Sequence, residues 1–308
     1  MGALKGRDLL SLADLSTEEI LFLLDLAAQL KSGKVRPRCT NVLGLLFSKA
    51  STRTRVSFSV AMGHMGGQVL DLNANLTQAG RGEPIEDTAR VLDRYLDVVA
   101  IRTFEQSEVE TFARYAKIPV INALTDLEHP CQILADLQTV FEAFGTFNGL
   151  TLTYFGDGNN IAHSLLLGCA LVGLNIRVAT PQDYSPLPEI VAKARDIAGD
   201  RASVTVTTDP NQAAEGAHIL YTDVWASMGQ ESSADDRVPI FMPYQINAEL
   251  LALADPAAIV LHCLPAYREK EITHAVMEGP ASRIWDQAEN RLHTQKALLA
   301  SVLGLDIA

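Results

Sequence analysis

The chain has 308 residues, of which 48% are hydrophobic and 20% charged, and its formal net charge is −12. This size and composition are typical of a globular protein with room for two domains, and they exclude a disordered chain. The acidic balance argues against nucleic acid or an anionic membrane as a partner, and no apolar run has the length of a membrane helix.

The predicted elements begin with a helix, because Ser16 and Glu19 form a capping box ahead of apolar residues at helical spacing, and Gly33 ends the segment. Short apolar runs then alternate with helical patterns. Strands are predicted near 43–47, 67–71, 97–101, 118–122, 150–155, 175–180, 203–207, 218–222, 258–262 and 283–285. This alternation predicts an α/β fold with two doubly wound parallel-sheet domains and a cleft between them.

The helical pattern at 131–144 is followed by "GTFNG" and a new strand, which places a domain boundary there. We expect a first domain over 1–130 and a second over 131–286, with a last helix at about 287–308 packing back on the first domain. A segment after Asp223, running to Pro243, has little periodicity and is typical of a lid or a surface loop.

The four cysteines are scattered along the chain, at Cys39, Cys131, Cys169 and Cys263. They form no CxxC pair, so neither a disulfide framework nor a zinc site is predicted. The first sixteen residues contain two aspartates and no apolar leader pattern. We therefore expect a cytoplasmic protein without a metal.

Polar groups follow most of the predicted strands, and in open α/β sheets ligands bind at the carboxyl ends of the strands. These groups are Ser51 to Arg55, Arg102, residues 128–132, residues 156–160, Asp223 with Ser227, residues 262–265, and Arg291. Groups from both predicted domains would meet in a cleft between them.

The run "SKASTRTRVSF" carries hydroxyl and guanidinium donors where a strand ends and a helix begins. Free N–H groups at a helix N-terminus attract anions, and a guanidinium such as that of Arg53 forks onto phosphate oxygens. The run therefore favours a phosphate or carboxylate site, although a capped helix with a solvated first turn fits the same pattern. It lacks the "GxxxxGK[ST]" of a nucleotide P-loop.

The segment "LTYFGDGNNIAHS" begins like a dinucleotide fingerprint, with Gly156 and Gly158 between a strand and a helix. The third glycine position is Ile161, and the next strand ends with Thr180 where an acid should meet the ribose. A nicotinamide site is therefore disfavoured, and no cofactor is predicted. The same turn could still let the backbone approach a small ligand.

Together these motifs resemble those of the aspartate/ornithine carbamoyltransferase family over nearly the whole chain. The matching segments are "SKASTRTRVSF", "GRGEPIEDTARVL", "IRTF", "HPCQILADLQT", "GDGNNIAHS", "DVWASMGQE", "HCLPAYR" and "WDQAENRLHTQKAL". "STRT" and "HPxQ" are common to the family and indicate carbamoyl phosphate. "SMG" and "HCLP" indicate the branch of the family that uses ornithine.

The resemblance implies transfer of a carbamoyl group from carbamoyl phosphate to the δ-amine of ornithine in a homotrimer, without a metal or cofactor. It assigns carbamoyl phosphate to Ser51, Thr52, Arg53, Thr54, Arg102, His129, Gln132 and Arg291, to Gln78 of a neighbouring subunit, and to the backbone carbonyls of Cys263 and Leu264. It assigns ornithine to Asn160, Asp223, Ser227 and Met228. The catalytic groups would be Arg102, His129, Asp223 and Cys263.

Two further expectations concern the backbone and Arg55. The resemblance implies a cis peptide bond between Leu264 and Pro265. Arg55 receives no ligand, and we expect it to form a salt bridge.

Three alternatives stay open from the sequence alone. The same scaffold could carbamoylate another amine, such as putrescine or N-acetylornithine. A two-domain ligand-binding protein without catalysis is a second possibility, and a nicotinamide dehydrogenase is a third.

Overall fold

The computed structural model describes residues 4–73, 82–226 and 234–307. By contacts along the chain it divides into two compact units. Unit 1 comprises Met1–Ala135 and Asn290–Ala308, and unit 2 comprises Asp136–Glu289.

The described part of unit 1 contains a four-stranded sheet and the helices between its strands. In chain order its elements are α1 (Thr17–Lys31), β1 (Val42–Phe47), α2 (Arg53–Met65), β2 (Gln68–Asn73), α3 (Ile85–Leu92), β3 (Val98–Arg102), α4 (Gln106–Tyr115), β4 (Val120–Leu124) and the start of α5 (Pro130–Phe144). The capping box predicted at Ser16 and Glu19 is present, and Gly33 has a φ of 74°, which a glycine adopts readily.

Among its described residues, unit 2 contains five strands. Its elements are β5 (Thr151–Phe155), α6 (Asn160–Val172), β6 (Asn175–Ala179), α7 (Pro188–Ala198), β7 (Val204–Thr207), α8 (Pro210–Ala214), β8 (Ile219–Thr222), α9 (Ala234–Phe241), α10 (Ala248–Leu251), β9 (Ile259–His262), α11 (His274–Met277) and α12 (Ile284–Val302). The last two turns of α5 and the first residues of α12 belong to this unit, and the rest of α12 belongs to unit 1.

Both sheets are parallel and doubly wound. The strand order is β2-β1-β3-β4 in unit 1 and β7-β6-β5-β8-β9 in unit 2. The order reverses between β1 and β3 in the first sheet and between β5 and β8 in the second, and such switch points form a crevice at the carboxyl ends of the strands. The fold class predicted from the sequence, two parallel-sheet α/β units, is confirmed.

The cores explain why the strands appear as continuous apolar runs. Every residue of β3 and of β5 is buried, as expected for parallel strands that are covered on both faces. In unit 1 the core cluster includes Val99, Ile101 and Phe112, and in unit 2 it includes Phe155, Leu220 and Val260. Each such side chain contributes about 1.5–3 kcal/mol through burial.

Two local predictions are wrong. Residues 283–285 do not form a tenth strand, because Ser282 makes only an isolated bridge to Val260 and α12 begins at Ile284. The weakly periodic segment before Pro243 contains the helix α9, which has Pro239 inside it and therefore lacks a regular helical pattern.

Among the described residues, none of the helices is long and apolar enough to cross a membrane.

Candidate active site

The switch point of unit 1 carries a first group of candidate site residues. Thr52 precedes α2 and makes no capping side-chain bond within the described chain, and the first turn of this fully described helix holds no acidic residue. The N–H groups of that turn are therefore not balanced locally by a carboxylate, which favours an anionic ligand. Arg53 is exposed here and Ser51 is half-buried.

Arg291 connects the start of α2 with the start of α5. It lies on α12, is 5% exposed, and donates to Thr54 Oγ1 at 3.1 Å and to Gln132 Oε1. Thr54 and Gln132 are each 2% exposed. Thr54 and Gln132, which are far apart in the sequence, are thus held by one guanidinium. The family resemblance assigns both residues to the same anionic ligand.

His129 and Arg102 belong to the same group in unit 1. Arg102 is the last residue of β3, where the register against β4 shifts, and it is 7% exposed. Burial lowers the pKa of His129 well below its usual value, and the positive charges of Arg291 and Arg102 lower it further. The imidazole is therefore neutral at pH 7, and it can donate one hydrogen bond without a competing charge.

Glu128 is a supporting residue to which the sequence pattern assigns no role of its own. It is 2% exposed and accepts hydrogen bonds from Ser11 Oγ at 2.6 Å and from the Leu12 N–H at 3.1 Å. Because it directly precedes His129, these bonds tie the N-terminal segment to the loop that holds the imidazole. The only signal in the sequence is an acid next to "HPCQ", and its partner lies more than a hundred residues away.

Arg55 forms a salt bridge with Asp71 of β2, as expected, and its guanidinium lies 5.1 Å from the Phe47 ring centroid. It braces the start of α2 against the sheet edge. Lys49 and Asp126 form a second pair nearby.

The switch point of unit 2 carries a separate group of candidate site residues. Asp223 follows β8 and Cys263 follows β9, and because Thr222 and His262 are paired in register the two residues are neighbours. The Cys263 thiol donates to Asp223 Oδ1 at 2.9 Å. Desolvation raises the pKa of Cys263 well above its usual value, and the Asp223 charge raises it further. The sulfur is therefore protonated and serves as a donor rather than as a thiolate.

Asn159 hydrogen-bonds directly to Asp223. The sequence predicted a role for its neighbour Asn160 but none for Asn159. Its Nδ2 donates to Asp223 Oδ2 at 3.0 Å, while its Oδ1 accepts from the Ile161 and Ala162 N–H groups and caps α6. Asn160 is the first residue of α6 and is half-buried. The sequence signal for this cap was the pair of consecutive asparagines, Asn159 and Asn160, before a predicted helix.

Gly158 approaches its own chain rather than a ligand. A Cβ atom there would lie 2.2 Å from the Pro186 nitrogen and 2.5 Å from the Tyr184 oxygen. The expectation that this turn leaves its backbone open to a small ligand is therefore wrong at Gly158. Thr180, which is fully buried, donates to the Tyr184 carbonyl at 2.8 Å and holds the same segment in place.

Ligand atoms of Asp223, His262 and Cys263 lie within 4.8 Å of one another, a donor set that zinc accepts. In the present arrangement the thiol is protonated, and the two ring nitrogens of His262 are already engaged by the Leu264 N–H and by Glu271. A metal ion would therefore have to displace existing bonds, so the residues fit hydrogen bonding better than metal ligation.

The Leu264–Pro265 peptide bond is cis, as expected from the sequence. Three predicted contacts, those of Gln78, Ser227 and Met228, lie outside the described residues.

Two doubly wound parallel units, with a cationic strand-end cluster in one and a carboxylate–thiol pair in the other, define a two-domain α/β enzyme. Residues 7–142 match the family model "Aspartate/ornithine carbamoyltransferase, carbamoyl-P binding domain", and residues 148–302 match its "Asp/Orn binding domain". The chain belongs to the aspartate/ornithine carbamoyltransferase family, and it is a carbamoyltransferase.

Individual relatives agree over almost the full length. An ornithine carbamoyltransferase of Thermosynechococcus vestitus is 71% identical over 98% of both chains, and one of Nostoc punctiforme is 68% identical over 99% of this chain and 100% of its own. Among solved structures, the ornithine carbamoyltransferase from Pyrococcus furiosus has a TM-score of 0.94 at 48% identity, covering 98% of both chains. The enzyme from Gloeobacter violaceus has a TM-score of 0.89 at 58% identity, covering 96% of this chain and 98% of its own.

The family predicted from the sequence is thus confirmed. The nicotinamide dehydrogenase and the non-catalytic binding protein find no support in these relatives.

Proposed function

We propose that this chain is an ornithine carbamoyltransferase that transfers the carbamoyl group of carbamoyl phosphate to the δ-amine of L-ornithine, giving L-citrulline and phosphate. The main observation in support is that Arg291 donates to both Thr54 and Gln132 beside the start of α2, where Thr52 makes no side-chain cap within the described residues. The identity of 68–71% to ornithine carbamoyltransferases supports ornithine as the acceptor.

Carbamoyl phosphate would bind on unit 1 through the groups named from the sequence, with Gln78 reaching it from a neighbouring subunit. The free N–H groups of α2 and the guanidiniums of Arg53, Arg102 and Arg291 would share the phosphate charge. Because this charge is held by fixed donors, phosphate can leave without a general acid.

The carbamoyl oxygen becomes negative as the amine attacks. Donors that are already oriented stabilise such a developing charge, because they need no reorganisation at that moment. Arg102 and the neutral imidazole of His129 would be these donors, with Thr54 beside them. The backbone carbonyls of Cys263 and Leu264 would accept hydrogen bonds from the carbamoyl NH₂ group.

Ornithine would bind through Asn160, Asp223, Ser227 and Met228. Its δ-amine must lose a proton before it attacks, since a free alkyl ammonium has a pKa of about 10. Asp223 lies beside Cys263 and is suited to accept that proton. A protonated thiol is a poor nucleophile, which supports direct attack of the amine without a covalent intermediate.

We further infer the assembly and setting from the family resemblance. Two exposed apolar side chains, Val56 of α2 and Leu70 of β2, support a homotrimer in which a second copy covers them. Four free cysteines are consistent with a cytoplasmic enzyme, and citrulline formation with a role in arginine biosynthesis. The domain roles would be carbamoyl phosphate binding over 1–130 and ornithine binding over 131–286.

A matched pair of arginine variants tests the phosphate site. Arg53→Ala should lower kcat/KM for carbamoyl phosphate by about 10²–10³-fold, because a phosphate contact that tightens in the transition state is lost. Arg55→Ala, two residues away, removes the salt bridge to Asp71 and the cation–π contact with Phe47 and should change kcat/KM by less than about threefold. Near-normal turnover of Arg53→Ala would refute the site.

A further inference from the structure

His262 ends β9, directly before Cys263, and takes no part in the chemistry described above. Its side chain is 0% exposed and that of Glu271 is 1% exposed. The Leu264 N–H donates to His262 Nδ1 at 2.9 Å, and Nε2 lies 3.1 Å from Glu271 Oε1. Because a backbone N–H only donates, Nδ1 is the acceptor, and the ring carries its proton on Nε2, facing the carboxylate.

The bonded backbone is in an unfavourable conformation. Leu264 has a φ of 58°, in the left-handed region that residues with a Cβ rarely adopt. Such a conformation persists only where its surroundings hold it. The same Glu271 oxygen accepts the Tyr267 N–H at 2.5 Å, so one carboxylate ties the imidazole to the far end of the turn.

We propose that His262 and Glu271 form a positioning pair that orients the Cys263–Leu264 backbone carbonyls toward the carbamoyl NH₂ group. The pair thereby sets the preference for carbamoyl phosphate over acyl phosphates that lack an amino group. This inference rests on the proposed function, which assigns those carbonyls to the NH₂ group. Neither residue touches the substrate; each acts through the Leu264 backbone.

Acetyl phosphate is the probe, because it replaces the NH₂ group by a methyl group and keeps the phosphate. In His262→Gln the side-chain amide lies near the position of Nε2, and the acceptor for the Leu264 N–H is lost. We expect kcat/KM for carbamoyl phosphate to fall about tenfold or more, while the inhibition constant of acetyl phosphate changes less than about twofold.

Three variants accompany this measurement. His262→Asn places an amide oxygen near Nδ1 and should restore most of the preference. Glu271→Met should reproduce the selective loss, which keeps the test open where His262→Gln does not fold. His218→Gln is the matched control, because His218 Nδ1 also accepts a backbone N–H, that of Thr151, but at the amino ends of β5 and β8; it should leave the preference unchanged.

The inference would be overturned if His262→Gln and Glu271→Met weakened the use of carbamoyl phosphate and the binding of acetyl phosphate equally. It would also be overturned if His262→Asn were as unselective as His262→Gln. Failure of the proposed function gives a different result, namely no citrulline from the wild-type enzyme.

Discussion

The protonation state of the Cys263 thiol determines whether it acts as a hydrogen-bond donor or as a nucleophile. Desolvation and the Asp223 carboxylate both raise the pKa of the thiol, so at neutral pH the sulfur is a hydrogen-bond donor. Its bond to Asp223 Oδ1 fixes the carboxylate, whose other oxygen accepts from Asn159. Cys263 is therefore expected to orient the group that meets the ornithine amine.

Replacing the thiol should affect one substrate selectively. In Cys263→Ala the Asp223 carboxylate loses a donor, and we expect the KM for ornithine to rise about tenfold, since a hydrogen bond to a charged group contributes about 1.5–3 kcal/mol. Cys263→Ser keeps a donor and should lie closer to wild type. Calorimetry should show carbamoyl phosphate binding intact in both variants, and loss of that binding would contradict the assigned role.

The lowered pKa of His129 predicts how the free energy of unfolding depends on pH. Its folded-state pKa lies well below the ordinary 6.5, so the unfolded chain binds a proton on this imidazole below pH 6.5 while the folded chain does not. Protonation then favours unfolding, and the free energy of unfolding should fall as pH decreases below about 6.5, by at most about 1.4 kcal/mol per pH unit from this group. The fall continues until the pH reaches the folded-state pKa.

Urea unfolding between pH 7.5 and 5 measures this slope. His129→Gln should show a shallower dependence than wild type across that window. Identical slopes in the two proteins would show that the imidazole is not held neutral.

At the scale of elements, the switch points organise the site. In each sheet the strand order reverses where the functional residues emerge, at β1 and β3 in unit 1 and at β5 and β8 in unit 2. The loop after β5 is held by close backbone packing, since Gly158 leaves no room for a side chain against Tyr184–Pro186. This packing fixes the Asn159 cap of α6 beside Asp223.

Gly158→Ala should therefore disturb both stability and the ornithine end of the site. The added methyl overlaps backbone atoms that cannot move aside alone, so a loss of about 1–3 kcal/mol is expected, with a raised KM for ornithine. Gly63→Ala is the control, because Gly63 lies exposed in α2 with nothing within 4 Å of the added atom. It should be neutral or stabilising by up to about 1 kcal/mol. Equal effects of the two changes would contradict the packing argument.

Much of this architecture follows from sequence patterns, because strand–helix alternation and strand-end donors are local signals. The helix at Ser16 and nine of the ten predicted strands illustrate this. Local patterns gave the wrong result at two places. The segment 283–285 was predicted as a strand, but α12 begins there, at Ile284. The helix α9 was not predicted, because Pro239 interrupts its periodicity.

Residues that support the site were harder to predict. Glu128 meets Ser11 from 117 positions away, and the bond from His262 to Glu271 depends on the course of a tight turn. A single sequence carries no periodic signal for such pairs. The family resemblance supplied ligand contacts but not the groups that hold those contacts in place.

At the scale of the whole molecule, an acidic protein uses an anionic substrate. The net charge of −12 opposes a phosphate at long range, but at physiological salt charges are screened beyond about 8 Å. Arg291 is buried and lies 3.1 Å from Thr54 Oγ1 in the first turn of α2, well within that distance. We therefore expect local arginines to outweigh the overall charge at the proposed phosphate site.

The acceptor is tested most directly by supplying purified protein with carbamoyl phosphate and, separately, with L-ornithine, putrescine and N-acetylornithine, and by measuring the carbamoylated product. We expect citrulline from ornithine, at a kcat/KM at least about a hundredfold above that for the other amines, because groups suited to a free α-amino acid are left unsatisfied by them. Turnover with putrescine or N-acetylornithine but not with ornithine would contradict it.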